Sequence, residues 1–194
     1  MKKSFFTLLL GLGVAFGANI QTLTQQCEAN NAKACYDLSV AYFNGKGVPE
    51  NPKKAFELMQ KACDLGSAAA CNDVGTYYDS NTENIGVAKD SSKAFALYKK
   101  ACDMGNARGC FNVGTSYYKG VGVAKDSSKA FTLLKKACDL GSAQGCNNLG
   151  VAYYKGDGVK KDINAAKNYS KKACSMGHQA GCDNYKIMLR QGGR

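Results

Sequence analysis

The stretch KKACDLGSAQGCNNLGVAYYKGDGV, residues 135–159, decides the fold, because it stands a second time almost unchanged as KKACDMGNARGCFNVGTSYYKGVGV at 99–123. Both copies hold two cysteines eight residues apart, then a glycine, a tyrosine pair and a glycine cluster. Working outward, the pair recurs: its first member is Cys27, Cys63, Cys102, Cys138 and Cys174, at steps of 36, 39, 36 and 36 residues. A period of this length is the signature of stacked two-helix units that bury their apolar faces against one another. The longer step contains DSNTENIGV, residues 79–87, where later units read YKGVGV or YKGDGV. Three polar residues are added there, which places the insertion in a connection.

Each unit reads as a helix A followed by a helix B. Ser67, Asn106, Ser142 and His178 each follow a glycine and stand where helix A begins, at N-cap positions. Counted from the second cysteine of each pair, apolar residues fall at zero, three, four and seven, the period of a helix with one buried face. Three residues on stand Leu38, Val74, Val113 and Leu149; four on stand Ser39, Gly75, Gly114 and Gly150; seven on stand Tyr42, Tyr78, Tyr117 and Tyr153. A mid-helix glycine costs about 1 kcal/mol against alanine, so its recurrence predicts another helix crossing closely at that column. The tyrosine column, on the same stripe, reads as core.

Helix A ends in glycine-rich turns such as KGDGV, and helix B starts behind Asn51, Asp90, Asp126 or Asp162, with Pro52 as a first helical residue. Ala55, Leu58, Met59, Ala62 and Cys63 form its apolar stripe. Lys61, Lys100, Lys136 and Lys172 lie near its C-terminal end, where the helix dipole favours them. Helix B stops at Gly66, Gly105, Gly141 or Gly177. The domain boundaries expected are a leader over 1–18 and one repeat domain over 19–194, with units near 27–62, 63–101, 102–137, 138–173 and 174–194. The last unit carries Lys186 and Leu189 where the others have glycine and tyrosine, a changed packing code that reads as a cap.

The first 18 residues read as an export signal. Lys2 and Lys3 precede an apolar run from Phe5 to Phe16, and Ala15-Phe16-Gly17 is a small-x-small cleavage site. The run is short for a bilayer crossing, the competing reading being an uncleaved anchor. A periplasmic or secreted protein is expected, with no membrane span once the signal is removed. Loss of Lys2 and Lys3 takes the formal charge from +11 to +9, which favours anionic partners such as acidic proteins or cell-wall polymers. The basic residues do not cluster with aromatics, and an exported chain does not meet nucleic acid, so no nucleic-acid partner is expected.

Ten cysteines in an exported chain read as disulfides. One regular pairing joins cysteines eight apart and uses all ten; another joins helix A to its own helix B and strands Cys27 and Cys182. The insertion stretches the long spacing and leaves the short one unchanged, which favours 27–35, 63–71, 102–110, 138–146 and 174–182. Without C-x-x-C, and with His178 as sole histidine, the sequence suggests no metal and no cofactor.

The pattern LG.AYYKGDGV.KD, with the paired cysteines, resembles Sel1-like repeats, relatives of the tetratricopeptide repeat, and the exported Helicobacter cysteine-rich protein family. The likeness runs from about Cys27 to Cys182. It implies an all-α, right-handed αα-superhelix of about four and a half helix pairs, with helix A lining the concave face and short-spaced disulfides. It also implies penicillin binding or β-lactamase activity, and secreted action on host cells.

Two sites follow. Ser116-Tyr117-Tyr118-Lys119 matches S-x-x-K, the serine–lysine pair of serine β-lactamases, but the partner motifs S-D-N and K-T-G are absent. Ser116 and Lys119 are therefore the only catalytic candidates, for a β-lactam ligand. The second site is a groove on helix A opposite its buried stripe. Two residues after the second cysteine stand Asp37, Asp73, Asn112, Asn148 and Asn184; nine after stand Asn44, Ser80, Lys119 and Lys155. Amides can pair with an extended peptide backbone and lysines with a carboxylate. The expected ligand is a peptide, protein or cell-wall component held by Asp73, Asn112, Asn148, Asn184, Lys119 and Lys155.

Overall fold

The computed structural model describes residues 19–80 and 85–191. The expected signal, 1–18, and residues 81–84 of the insertion lie outside the described residues. The elements are α1 (19–28), α2 (Ala32–Asn44), α3 (Pro52–Asp64), α4 (Ala68–Asp79), α5 (Ser91–Asp103), α6 (Ala107–Lys119), α7 (Ser127–Asp139), α8 (Ala143–Lys155), α9 (Ile163–Ser175) and α10 (Gln179–Gln191). Even-numbered helices are the A helices and odd-numbered ones the B helices. They stack as an all-α, right-handed superhelix, four A–B hairpins flanked by α1 and α10. No helix among the described residues is long and apolar enough to cross a membrane.

The boundaries follow the capping chemistry. The Ser67, Asn106 and Ser142 side chains accept from the backbone N–H three residues on, at the starts of α4, α6 and α8. Asn51, Asp90, Asp126 and Asp162 do the same for α3, α5, α7 and α9. Each satisfies one of the donors a helix start leaves without a partner. Asn31 caps α2 in the same way, after Asn30 turns the chain at φ 63°.

Five disulfides close the turns from each B helix to the next A helix: Cys27–Cys35, Cys63–Cys71, Cys102–Cys110, Cys138–Cys146 and Cys174–Cys182. Their Cα separations of 4.4 to 4.6 Å sit at the short end of the usual range. The approach comes from a reversal in which Ser142 N–H, beyond the left-handed Gly141, reaches back to the Ala137 carbonyl at 2.8 Å. The three central disulfides are almost wholly buried.

The glycine column marks the crossing the sequence predicts. A Cβ on Gly150 of α8 would stand 2.7 Å from Ser170 Oγ and 3.1 Å from the Ala166 carbonyl of α9. Gly75 and Gly114 meet Tyr98 of α5 and Leu134 of α7 in the same way. The tyrosine column fills the seam between units: Phe56, Phe95 and Phe131 of the B helices meet Tyr78, Tyr117 and Tyr153 of the following A helices edge-on, centroids 5.2 to 5.9 Å apart.

The lysines near the B-helix ends do more than complement their own dipole. Lys100 Nζ donates to the Cys63 carbonyl at 3.0 Å, and Lys136 Nζ to the Cys102 carbonyl at 3.1 Å. Each neutralises the carbonyl end of the preceding B helix, tying unit to unit. Successive A helices touch directly, α4 with α6 and α8 with α10, without a comparable pairing of B helices among the described residues. The array therefore bends toward the A side, whose outer stripe lines the inner face.

Candidate functional site on the inner face

Opposite its buried stripe, each A helix presents the residues two, five and nine places after its cysteine. Those two places on are drawn into the seam between A helices. Tyr36 OH donates to Asp73 Oδ2 at 2.7 Å, and Asn72 Nδ2 donates to Asp73 Oδ1 at 3.1 Å. Asn112 Nδ2 then donates to Asn72 Oδ1 at 2.9 Å, carrying the chain from α2 through α4 to α6. The rule is simple: the residue one place after a cysteine bonds the residue two places after the next. Phe111 breaks it, since its ring offers α8 no acceptor. The bonds resume from α8 to α10, where Asn184 Nδ2 donates to Asn147 Oδ1 at 2.9 Å. Asn148, facing Phe111 across the break, accepts weakly from its neighbour Asn147 at 3.4 Å.

Electrostatics follow the seam. Burial, then the bond to Asp73 and its negative charge, push the Tyr36 hydroxyl up to about 12. Burial and the Asp73 charge raise Tyr77 as well. Both phenols stay protonated at neutral pH, so Tyr36 remains the donor and Asp73 the acceptor.

Nine places on, Lys119 and Lys155 lie exposed at the ends of neighbouring A helices, and among the described residues neither pairs with a carboxylate. Asn44 and Ser80 hold the same place in α2 and α4; the Asn44 amide turns back to the Val40 carbonyl and the Ser80 hydroxyl to that of Thr76. The six groove residues thus divide: Asp73, Asn112 and Asn184 link helices, Asn148 is half-buried like them but bonds only its own neighbour, and Lys119 and Lys155 are exposed.

Ser116 and Lys119 share a helix turn, but among the described residues no hydrogen bond joins them, and Ser116 Oγ meets no other base. No cluster of metal-ligating side chains forms there.

The feature the sequence reading missed is apolar. Between α2 and α4 the inner face opens into a cavity of about 460 Å³ lined by Val40, Phe43, Met59, Asp73, Thr76, Tyr77 and Ser80. Val40 and Phe43 remain 39% and 49% exposed. The signal was present, two apolar residues five and eight places after Cys35, off the buried stripe. At those places α4 has Thr76 and Asp79, α6 has Thr115 and Tyr118, and α8 has Val151 and Tyr154.

The Sel1 repeat family model matches residues 32–67, 68–106, 107–142 and 143–178. A protective antigen of uropathogenic Escherichia coli with an SLR fold superposes with TM-score 0.82 at 30% identity, over 89% of this chain and 36% of that one. Helicobacter pylori cysteine rich protein B is 32% identical with TM-score 0.55, over 71% of this chain and 96% of its own. Cytochrome c oxidase assembly factor 7A of Xenopus laevis is 36% identical over 53 residues, and the chain spans 23% of that relative's length. Five turn disulfides mark a protein of an oxidising, extracytoplasmic compartment. Repeats, staples and relatives agree: the chain belongs to the Sel1 repeat family, among the Helicobacter cysteine-rich proteins.

Proposed function

We propose that this chain is an exported binding scaffold, periplasmic or secreted, whose inner face holds an extended peptide or protein segment. The supporting observation is the α2–α4 cavity, where Val40 and Phe43 stay exposed on a concave surface although the rest of the unit buries its apolar stripe. Exposed large apolar side chains gathered at a cavity are the usual mark of a recognition site. Asn148 offers amide hydrogen bonds to a bound backbone, Lys119 and Lys155 offer charge, and Asp73, Asn112 and Asn184 hold the helices that present them. Covalent turns keep the surface preformed, which lowers the entropic cost of binding.

A peptide array probed with the folded protein tests this. Binding peptides should be recovered by the wild type and lost in Val40→Ser/Phe43→Ser, with the melting temperature unchanged. Equal recovery by both proteins would refute the site. The β-lactamase alternative rests on the family likeness and the S-x-x-K match, without a partner group for Ser116. Turnover of a chromogenic β-lactam that disappears in Ser116→Ala would establish it.

A further inference from the structure

Resting on that reading of the inner face, we infer that the bound peptide runs in one direction: its free amino-terminal apolar residue fills the α2–α4 cavity, and its acidic carboxy-terminal part lies over Lys119 and Lys155.

Chemistry differs at the two ends of the groove. At the first, the cavity wall is Val40, Phe43, Met59 and Tyr77, with the Asp73 carboxylate among its lining groups. Tyr36 and Asn72 each donate one hydrogen bond to Asp73, fixing both oxygens in place. A carboxylate has about four acceptor positions, so room remains for an ammonium group. The nearby cation on α2, Lys33, is paired with Asp37, and among the described residues of these two helices Asp73 and Asp79 carry no ion pair; of the two, Asp73 lines the cavity. An apolar pocket with a carboxylate beside it suits a residue that carries both a hydrophobic side chain and a free amine.

At the second end, Lys119 and Lys155 hold the same place on adjacent helices. The inner positions of α6 and α8 two, five and nine places after the cysteine are Asn112, Thr115, Lys119, Asn148, Val151 and Lys155, without a carboxylate. Asp157, just beyond Lys155, accepts from Tyr118 OH at 3.1 Å. Arg108, whose charge acts on Tyr36, stands at the other end of α6, about 16 Å from Lys119 at 1.5 Å per residue.

The lengths agree. Neighbouring packed helices lie about 8–10 Å apart, so two such steps separate the two ends by at least about 18 Å. An extended chain covers that in about six residues at roughly 3.3 Å each. The interrupted seam at Phe111 and Asn148 lies within this span, so Asn148 can pair with the peptide backbone before it reaches the lysines.

Calorimetric titration with a heptapeptide, Phe-Ala-Ser-Ala-Ser-Glu-Glu with free termini, tests the direction against the reversed sequence and the N-acetylated form. The forward peptide should bind at least about tenfold more tightly than the reversed one. Acetylation should weaken it about fivefold or more, as should Phe43→Ser and Lys119→Glu/Lys155→Glu in proteins of unchanged melting temperature. Equal binding of forward and reversed peptides, both weakened by Phe43→Ser, overturns the direction and leaves the inner-face site standing. If neither heptapeptide binds, the direction falls; the inner-face reading falls with it only if array peptides also fail to bind.

Discussion

Two regions alternate along this solenoid and obey different rules. The turn from each B helix to the next A helix is nearly the same in the three central units: a buried cysteine pair, a left-handed glycine and a capping side chain. The seam between successive A helices changes at each step. A tyrosine–aspartate bond joins α2 to α4, an asparagine pair joins α4 to α6, a phenylalanine interrupts at α6–α8, and an asparagine pair returns at α8–α10. Where geometry is held covalently the side chains stay uniform, and the seam beside it is free to differ. Uniformity is concentrated at the turns, variation at the seams.

The contrast can be broken most severely at a turn. Replacing Cys102 and Cys110 by alanine removes a cross-link that stabilises by about 2.5 kcal/mol in the chain-entropy model and leaves a small void. We expect a loss of about 3 kcal/mol in chemical denaturation, with the oxidised wild type as reference.

The intact seam should respond less. Asn72→Ala removes a buried amide that donates to Asp73 and accepts from Asn112. Loss of the two bonds should cost about 1–2 kcal/mol, read as a shift in denaturation midpoint. A change below experimental error would mean that the seam adds nothing to stability.

A titration of the same seam sharpens the comparison. The folded state holds Tyr36 protonated, raising its pKa from 10.0 to about 12. Its contribution is therefore complete below pH 10 and is lost as pH rises toward 12. Melting temperature should fall across that window, less steeply in Tyr36→Phe, which has no phenol to ionise. Identical alkaline profiles for the two proteins would remove Tyr36 from the account.

The smallest effect on stability is expected at the interrupted seam. Asn148→Ala should change unfolding free energy by less than about 0.5 kcal/mol while weakening peptide binding. Destabilisation as large as that of Asn72→Ala would make Asn148 a strut like the others.

Much of the fold is legible because its determinants are local. The helix starts follow from Ser67, Asp90, Asn106 and Asp126, each of which bonds a backbone N–H three residues on. The staples follow from cysteines eight apart, since an insertion elsewhere cannot change that distance. The glycine column is legible because a recurrent cost needs a recurrent cause. What stays hidden depends on contacts a whole repeat away. Lys100 reads as a dipole partner of its own helix, yet it bonds a carbonyl 37 residues earlier. The Asn112 amide bonds 40 residues back, to Asn72, a partner set by the twist between units. Val40 and Phe43 were passed over because they lie off the repeated stripe, and only packing reveals that they stay partly exposed among the described residues.

The staple pattern also bears on how the chain matures. Every cysteine is bonded to its immediate successor in the chain, first to second, third to fourth, and so on to the end. An oxidant that meets the polypeptide as it threads out of a translocation channel would seal each bond before the next thiol arrives. The native pattern then arises by order of emergence alone, and no isomerase is needed to correct it.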